Sequence, residues 1–333
     1  MAQTGYQILP FIPYPFQISL RQANLNFSYR KTHFKNHSLL VTTPPKSSQQ
    51  ETHHPSVPET TKTQEEEDGI PMEDVNIIAK FKSRHNYIRV LEVSRKADHP
   101  FAGARLLLLD GPGNIHSISF LFKPFTGTYF DVFATLPPII PPGPIAVLGF
   151  GAGSAARLIL ELYKQPVVHG WELDPAVIMV GRKYFRLKEV EREHKDRIFI
   201  YVGNALQASV ENGFSGIIVD LFSRGSLIPE LQDPQTWEKM RKSLRNGGRI
   251  MVNVGGSCVE AENRRRDGKK VMEDTLKAMQ RVFGEKLFVL SLGNGQDDSS
   301  LALTGHLPDL DLWRKAVPRS LKHYVHMWTQ FSS

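Results

Sequence analysis

Hydrophobic and polar residues alternate between positions 75 and 122 in four short runs that are separated by Gly, Pro, Asn and Asp. A period of two predicts half-buried strands, and the runs are VNIIAKF, YIRVLEV, ARLLLLD and IHSISFLF. Asp110-Gly111 and Gly113-Asn114 offer turn-forming residues between the last two runs. We therefore expect a small antiparallel β unit over residues 73–125.

The pattern changes after residue 126, where fully apolar runs alternate with segments of helical length. A helix over Tyr129–Leu136 should be stopped by the prolines that follow it. Five runs have the continuous apolar character of buried parallel strands: Ile145–Leu148, Val167–Trp171, Arg197–Val202, Gly216–Asp220 and Arg249–Val254.

Helix signals and a final hairpin complete this second region. Asp174-Pro175 and Asp233-Pro234 are capped helix starts, and the second of these helices is predicted to end at Asn246-Gly247-Gly248. The last two apolar runs predict a hairpin: Lys286–Leu292 and Ser299–Thr304. Residues 126–333 are thus expected to form a doubly wound, Rossmann-like α/β domain. Its mostly parallel seven-stranded sheet would carry the antiparallel hairpin at one edge.

The segment IAVLGFGAGSAARLILELYKQPVVHGWELD carries the strongest functional signal. It contains a strand, a turn with Gly149, Gly151 and Gly153, a helix over Ser154–Tyr163, a second strand and then Glu172. Glycines let the backbone approach a ligand, and an acid about 20 residues later can accept hydrogen bonds from ribose hydroxyls. The unit predicts a nucleoside-binding site; a purely structural turn is the alternative.

The spacing of the glycines favours one class of cofactor. A dinucleotide fingerprint requires G-x-G-x-x-G, whereas this chain has G-x-G-x-G followed by Ala155 and Ala156. This spacing is similar to that of class I S-adenosylmethionine (SAM) folds, in which the loop passes the amino-acid end of the ligand.

The topology of a doubly wound sheet adds further candidates. Ligands bind beyond the carboxyl ends of the strands, where the strand order reverses. This rule selects the glycine turn, Glu172, Asn204 and Asp220. Glu172 is the candidate for the ribose, since Asp174 already serves as the helix cap. Asn204 could bond the adenine edge or be a plain turn residue, and Asp220 could bind an amine or act as a base.

Positive charge is concentrated at the N-terminus. The 333-residue chain has a net charge of +7, of which residues 1–50 contribute +5 because they lack Asp and Glu. The nearly balanced remainder does not support a nucleic-acid-binding surface. A basic, acid-free start predicts an organelle transit peptide over residues 1–50, and early prolines favour the chloroplast; a mitochondrial or cytoplasmic protein is the alternative. Residues 51–72, rich in polar residues and proline, should be a disordered linker.

Other kinds of chemistry receive no assignment. The single cysteine, Cys258, excludes a disulfide framework, and no metal site is assigned. No apolar run approaches the roughly 20 residues of a membrane span, so we expect no membrane partner. The basic run of Arg264, Arg265, Arg266, Lys269 and Lys270 is interpreted as a solvated loop and helix start, with an acidic or phosphorylated partner as the alternative. Asp297-Asp298 is interpreted as a hairpin turn.

Between about Leu106 and Thr304 the chain resembles the spermidine synthase-like (polyamine aminopropyltransferase-like) branch of the class I SAM-dependent methyltransferase superfamily. LLLLDGPGN looks like the family's LxxLDGxxQ, YFDVFATLPP like Y-(Q/H)-E-x-x-x-x-L-P, and GFGAG stands in the place of G-G-G-D-G. WELDPAVI, GNA and GIIVDLFS are similar to E-x-D-x-x-V, G-D-(A/G) and D-x-I-I-x-D-S-S. The resemblance implies Glu172 at the ribose, Asn204 at the adenine, and Asp220 with Tyr129 as catalytic residues. The implied donor is SAM or decarboxylated SAM.

The departures from the family's motifs fall on the acceptor side. Residues that differ from its acids and amides are Ala152, Asn114, Phe130, Ser223 and Asp131, the last in place of Glu. A polycation needs paired carboxylates to offset its desolvation, and too few survive here.

The sequence therefore predicts an enzyme that transfers a methyl group from SAM to a small-molecule or amine acceptor of unassigned identity. Two alternatives stay open. One is aminopropyl transfer from decarboxylated SAM in spermidine- or spermine-type synthesis; the other is a non-catalytic nucleoside-binding protein. The oligomeric state is also open and includes a homodimer.

Overall fold

A computed structural model describes residues 70–111, 113–256, 259, 261–263, 267–293 and 299–332. The expected transit peptide lies outside the described residues, as does the expected linker up to residue 69. The interpretations of Cys258, Arg264–Arg266 and Asp297-Asp298 also concern residues outside the described ranges. The description begins at Ile70, which is buried and precedes a short 3-10 turn, Met72–Asp74.

The first elements form the predicted antiparallel sheet of four strands in sequential order. They are β1 (Val75–Lys82), β2 (Tyr87–Val93), β3 (Ala104–Leu108) and β4 (Ile115–Phe120). The tip of the β1–β2 hairpin reaches the second part of the molecule. Ser83 Oγ and Asn86 Nδ2 both donate to the Asp174 carboxylate, the latter at 2.7 Å.

The second region is the predicted α/β layer structure around a large sheet. Its helices are α1 (Tyr129–Phe133), α2 (Ser154–Leu162), α3 (Pro175–Tyr184), α4 (Leu187–Glu193), α5 (Pro234–Lys242), α6 (Gly268–Phe283) and α7 (Leu310–Ala316). Its large-sheet strands are β5 (Pro144–Leu148), β6 (Val167–Glu172), β7 (Ile198–Val202), β8 (Phe214–Val219), β11 (Leu244–Gly255), β12 (Leu287–Ser291), β13 (Ser300–Thr304) and β14 (Thr329–Gln330). The strands β9 (Phe222–Ser223) and β10 (Ser226–Leu227) form a separate two-stranded ribbon.

The order of the large sheet is β14-β12-β13-β11-β8-β5-β6-β7. Strands β11, β8, β5, β6 and β7 are parallel, whereas β13, β12 and β14 pair antiparallel at one edge. From β5 the chain continues through β6 to β7 on one side and then returns to β8 on the other. The strand order therefore reverses between β5 and β8, which is where such sheets bind ligands.

Three sequence-based expectations about elements are corrected. The sheet has eight strands rather than seven, because the two-residue β14 is too short to leave a periodic pattern. Helix α1 ends at Phe133 rather than at Leu136. The stretch Asn246-Gly247-Gly248 does not end a helix but lies inside β11, where a register shift between Leu244 and Arg249 accommodates it.

The core occupies both faces of the large sheet. On β5, Ile145 and Val147 pack on one face with α1, α2 and α7, while Ala146 and Leu148 pack on the other with α5 and α6. This division follows from the two-residue period of a strand. Covering both faces with helices requires apolar side chains at every position, which is why β5 reads as a continuous apolar run.

Candidate functional site

Beyond the ends of β5 and β8, a cavity of about 340 Å³ opens at the reversal point. It is lined by predicted residues from four different elements: Gly149, Gly151, Glu172, Asn204 and Asp220. Gly153 is not among the lining residues; it precedes α2 and packs against Phe150 and Leu187. Trp171 forms part of the cavity wall.

The glycine turn brings two parts of the chain into close contact. Gly149 has a φ of +83°, and a Cβ there would lie 2.0 Å from the carbonyl oxygen of Asp220. The Asp220 N–H donates to the carbonyl of Leu148 at 2.8 Å. Only glycine allows this approach, so the first glycine of the motif fixes the position of Asp220 relative to β5.

Glu172 ends β6 with its carboxylate toward the glycine turn. Its Oε2 accepts from the N–H of Gly151 at 2.9 Å, and its Oε1 accepts from the N–H of Asp174 at 3.0 Å. The residue is 8% exposed, and burial raises the pKa of the carboxyl, partly offset by these backbone hydrogen bonds. Each oxygen can accept a further bond, so Glu172 can receive ribose hydroxyls.

Asn204 lies at the end of β7 and serves the local turn as well as the cavity. Its Oδ1 accepts from the N–H of Leu206 at 2.9 Å and caps a short 3-10 turn, Ala205–Gln207. Recognition of an adenine edge would therefore fall to Nδ2. Both sequence-based interpretations of Asn204, turn residue and ligand contact, fit this arrangement.

Asp220 follows β8 and is held by two neighbours. The hydroxyl of Tyr129, on α1, donates to Oδ2 at 3.0 Å, and Asn253 Nδ2 donates to Oδ1 at 2.9 Å. Burial raises the pKa of Asp220 to about 6, although these hydrogen bonds and the charge of His116 act in the opposite direction. An acid with this pKa can gain and lose a proton near neutral pH.

Asn253 was missed at the sequence level. It lies on β11 one residue after Val252, which pairs with Val219 of β8, so it comes level with Asp220. The signal was a single polar residue inside the otherwise apolar run IMVNV. A buried polar side chain needs a partner, and here the partner is the candidate catalytic acid.

A second overlooked group is the pair of Asp110 and His116, which lies beside the same cavity. His116 Nε2 is 3.1 Å from Asp110 Oδ2, and His116 lines the cavity. Burial lowers the pKa of His116, but the hydrogen bond and charge of Asp110, with the charges of Asp220 and Glu172, raise it above the usual value. The pKa of Asp110, which burial alone would raise, is lowered by His116, Asn114 and Gly113. The hydrogen bond to Asp110 therefore favours the charged form of His116.

The structure shows how the residues that depart from the family's motifs are used. The Asp131 carboxylate accepts from Thr126 N at 2.8 Å and from Gly127 N at 2.8 Å, so it stabilises its own turn. The Asn114 side chain donates to Asp110 at 2.6 Å. Phe130 and Ala152 are buried, while Ser223 is exposed at the cavity.

The rim of the cavity adds residues that the sequence did not single out. Glu230, which is exposed, comes from the segment after the β9–β10 ribbon. His85 and Asn86 come from the tip of the β1–β2 hairpin. The small sheet thus contributes to the same cavity as the large one.

In the described residues, no three His, Cys, Asp or Glu side chains are placed to hold a metal ion. None of the helices in this part of the chain has the length and apolar character needed to cross a bilayer.

No family model matches this chain. A probable polyamine aminopropyl transferase from Bifidobacterium longum (strain NCC 2705) is 22% identical over 249 residues, which are 70% of this chain and 51% of that protein. The chain therefore spans about half the length of this curated relative.

Solved structures show the same fold at low sequence identity. A spermidine synthase in complex with the transition-state analogue AdoDATO matches with a TM-score of 0.54 and 15% identity, over 73% of this chain and 77% of that one. A probable spermidine synthase from Corynebacterium glutamicum matches with a TM-score of 0.54 and 16% identity, over 78% and 97%. The spermidine synthase from Thermotoga maritima has a TM-score of 0.51 and 15% identity, over 73% and 76%. The doubly wound sheet and the preceding antiparallel sheet agree with these likenesses: the chain has the fold of the solved spermidine synthases, and its sequence is similar to that of a probable polyamine aminopropyl transferase.

Proposed function

We propose that this protein is a transferase that binds a SAM-type sulfonium nucleoside and moves its aminopropyl group to an amine acceptor. The likeness in sequence to a probable polyamine aminopropyl transferase supports aminopropyl over methyl transfer. This order is the reverse of the one that the sequence motifs alone favoured. Decarboxylated SAM is the donor that this reaction requires.

The observation that carries the proposal is the pairing of two acids in one cavity. Glu172 has oxygens free to accept further hydrogen bonds, as a ribose requires, and Asp220 has a pKa of about 6. Both line the cavity at the point where strand order reverses. The residues present therefore fit a nucleoside that is held by its sugar at one end and reacts at the other.

The chain's own residues supply positioning and proton transfer. A bound sulfonium donor supplies the electrophilic carbon. Glu172 holds the sugar, and the glycine turn sets the distance between sugar and reacting end. As the acceptor nitrogen forms its bond to carbon and the carbon–sulfur bond breaks, Asp220 accepts the proton that the nitrogen loses. Tyr129 and Asn253 keep the Asp220 carboxylate in place.

Methyl transfer is the second candidate, because few carboxylates are available to a diamine. Asp110 is paired with His116, and the Asp131 oxygens are bonded to Thr126 and Gly127. Among the acids that line the cavity, Asp220 and the exposed Glu230 are left for an acceptor. These two acids can balance the positive charge of an acceptor with a single amine more easily than that of a polyamine.

Product analysis distinguishes the two reactions. The purified protein is incubated with methyl-labelled SAM, and separately with decarboxylated SAM and putrescine, and products are identified by mass. Formation of spermidine only in the second reaction supports the proposal. Methylated product from SAM would establish the second candidate, and tight nucleoside binding without any product would indicate a non-catalytic protein. Asp220→Asn is the inactive control.

A further inference from the structure

We propose that the ring nitrogen Nδ1 of His116 binds a carboxylate of one of the two substrates, on the donor or on the acceptor. The inference rests on the proposed function, because it uses the same nucleoside cavity. It concerns which substrate group the site binds in addition to the sugar. A carboxylate on the acceptor fits the aminopropyl transfer proposed above, whereas a carboxylate on the donor, which decarboxylated SAM lacks, fits the second candidate, methyl transfer.

The position of His116 places it at the reacting end of the cavity. The strand β4 begins beside the glycine turn: a Cβ at Gly151 would lie 2.7 Å from Ser117 Oγ and 3.1 Å from the carbonyl of His116. Ser117 Oγ also accepts from the N–H of Ala152 at 2.8 Å. When the sugar of the donor binds Glu172, the tail of the donor extends past the glycine turn toward Asp220.

One ring nitrogen of His116 is used and the other is available. Asp110 accepts from Nε2, and Asp110 itself is fixed by Gly113 N, Asn114 N and Asn114 Nδ2 at 2.9, 3.1 and 2.6 Å. Within the described residues, no group makes a hydrogen bond to Nδ1. Nδ1 is also not a fully buried atom. Since the ring lines the cavity, Nδ1 is open to a ligand.

The charge pattern selects an anionic group for this nitrogen. A buried carboxylate at Nε2 favours the imidazolium form of His116, and in that form Nδ1 is a donor. Among the described residues that line the cavity there is no Lys or Arg, and His85 lies at the rim. His116 is therefore the cationic donor at the reacting end. A charge-assisted bond from it to a carboxylate is stronger than a neutral one.

The test uses ligand pairs that differ in one carboxylate. The full-length protein is titrated in a calorimeter with SAM, decarboxylated SAM and 5′-methylthioadenosine, which has no tail. With 5′-methylthioadenosine saturating, it is then titrated with 4-aminobutyrate and putrescine, which share a four-carbon chain. The variant His116→Gln keeps a donor toward Asp110 and loses the one at Nδ1. His326→Gln, at an exposed histidine away from the cavity, is the matched control.

If the carboxylate is on the donor, His116→Gln should weaken the binding of SAM about tenfold to a hundredfold. The affinities for decarboxylated SAM and 5′-methylthioadenosine should then be unchanged. If the carboxylate is on the acceptor, the same loss of affinity should be seen for 4-aminobutyrate and not for putrescine. Unchanged affinities, or an equal loss for all ligands including 5′-methylthioadenosine, would overturn the proposal. Failure of the wild-type protein to bind any of the three nucleosides would instead refute the nucleoside site itself.

Discussion

Single residues set the chemistry of this site through the surroundings of their carboxylates. Burial dominates at Asp220 and Glu172 and raises both pKa values. At Asp110 the bond to His116 and the other donors outweigh burial and lower the pKa. In the proposed function, neighbouring acids therefore have different tasks: Asp110 is the ionised partner of His116, and Asp220 exchanges a proton.

Transfer should depend on pH through Asp220. The acid must be ionised to accept a proton, so kcat/KM is expected to fall about tenfold per pH unit below a pH of about 6. Asp220→Asn should lower the rate by about 10²- to 10⁴-fold while nucleoside binding is kept. Asp233→Asn, at the N-cap of α5, is the matched control. Initial rates between pH 4.5 and 8.5 give the profile, and a flat profile would contradict this role for Asp220.

The same ionisation should affect stability. The pKa of Asp220 is about 6 in the folded protein against an ordinary 3.8, so the folded state holds the proton more tightly. Its stabilising contribution is present below about pH 4 and is lost as the pH rises through 6. Asp220→Asn should therefore increase the free energy of unfolding by about 3 kcal/mol at pH 7.5 and by less than about 1 kcal/mol at pH 4. Urea denaturation at both pH values checks this; an equal effect at both would argue against it.

Elements with strong periodicity could be predicted from the sequence, and elements that depend on distant partners could not. The strands β1 to β8 and the caps of α3 and α5 follow from local patterns. Helix α4 begins at Arg186 in a left-handed conformation without a side-chain cap, and β14 exists only by pairing with β12. At the site, Glu172 and Asp220 follow from topology. Asn253 and His116 can be recognised as site residues only from the tertiary structure. There, β11 lies beside β8, and β4 lies beside the glycine turn.

The turn between β5 and α2 should tolerate no side chain at its first glycine. Gly149→Ala would place Cβ 2.0 Å from the Asp220 carbonyl oxygen, in addition to the strain of a φ of +83°. It should lower stability by about 3 kcal/mol or more and weaken nucleoside binding. Gly247→Ala shares the positive φ, +77°, but its Cβ would meet only Pro141 Cδ, at 4.0 Å, and it should cost about 1–2 kcal/mol with binding unchanged. Thermal unfolding and calorimetry of both variants decide; equal losses would show that contact with Asp220 is unimportant.

At the scale of the molecule, both sheets contribute to one cavity. The small sheet supplies His116, His85 and Asn86, and its hairpin tip is anchored on Asp174, the N-cap of α3. The large sheet supplies the glycine turn, Glu172, Asn204 and Asp220. The antiparallel sheet is therefore part of the candidate site, and we expect specificity for the donor tail and the acceptor to reside in it.

The basic N-terminus leads to a proposal about location. We propose that residues 1–50 direct the protein to the chloroplast, since they carry +5 and no acid. A fluorescent protein fused behind residues 1–69 should accumulate in chloroplasts, and one fused behind a variant with Arg21, Arg30 and Lys31 changed to Glu should not. Accumulation in mitochondria or in the cytoplasm would contradict the proposal.

The central claim is that the cavity between β5 and β8 holds a sulfonium nucleoside by its sugar through Glu172. Calorimetric titration of the wild-type protein and of Glu172→Ala with SAM and decarboxylated SAM tests it most directly. We expect the wild-type protein to bind at least one of them and the variant to lose about a hundredfold in affinity or more, because two ribose hydroxyls lose a charged acceptor. Equal affinities for the two proteins would contradict the account.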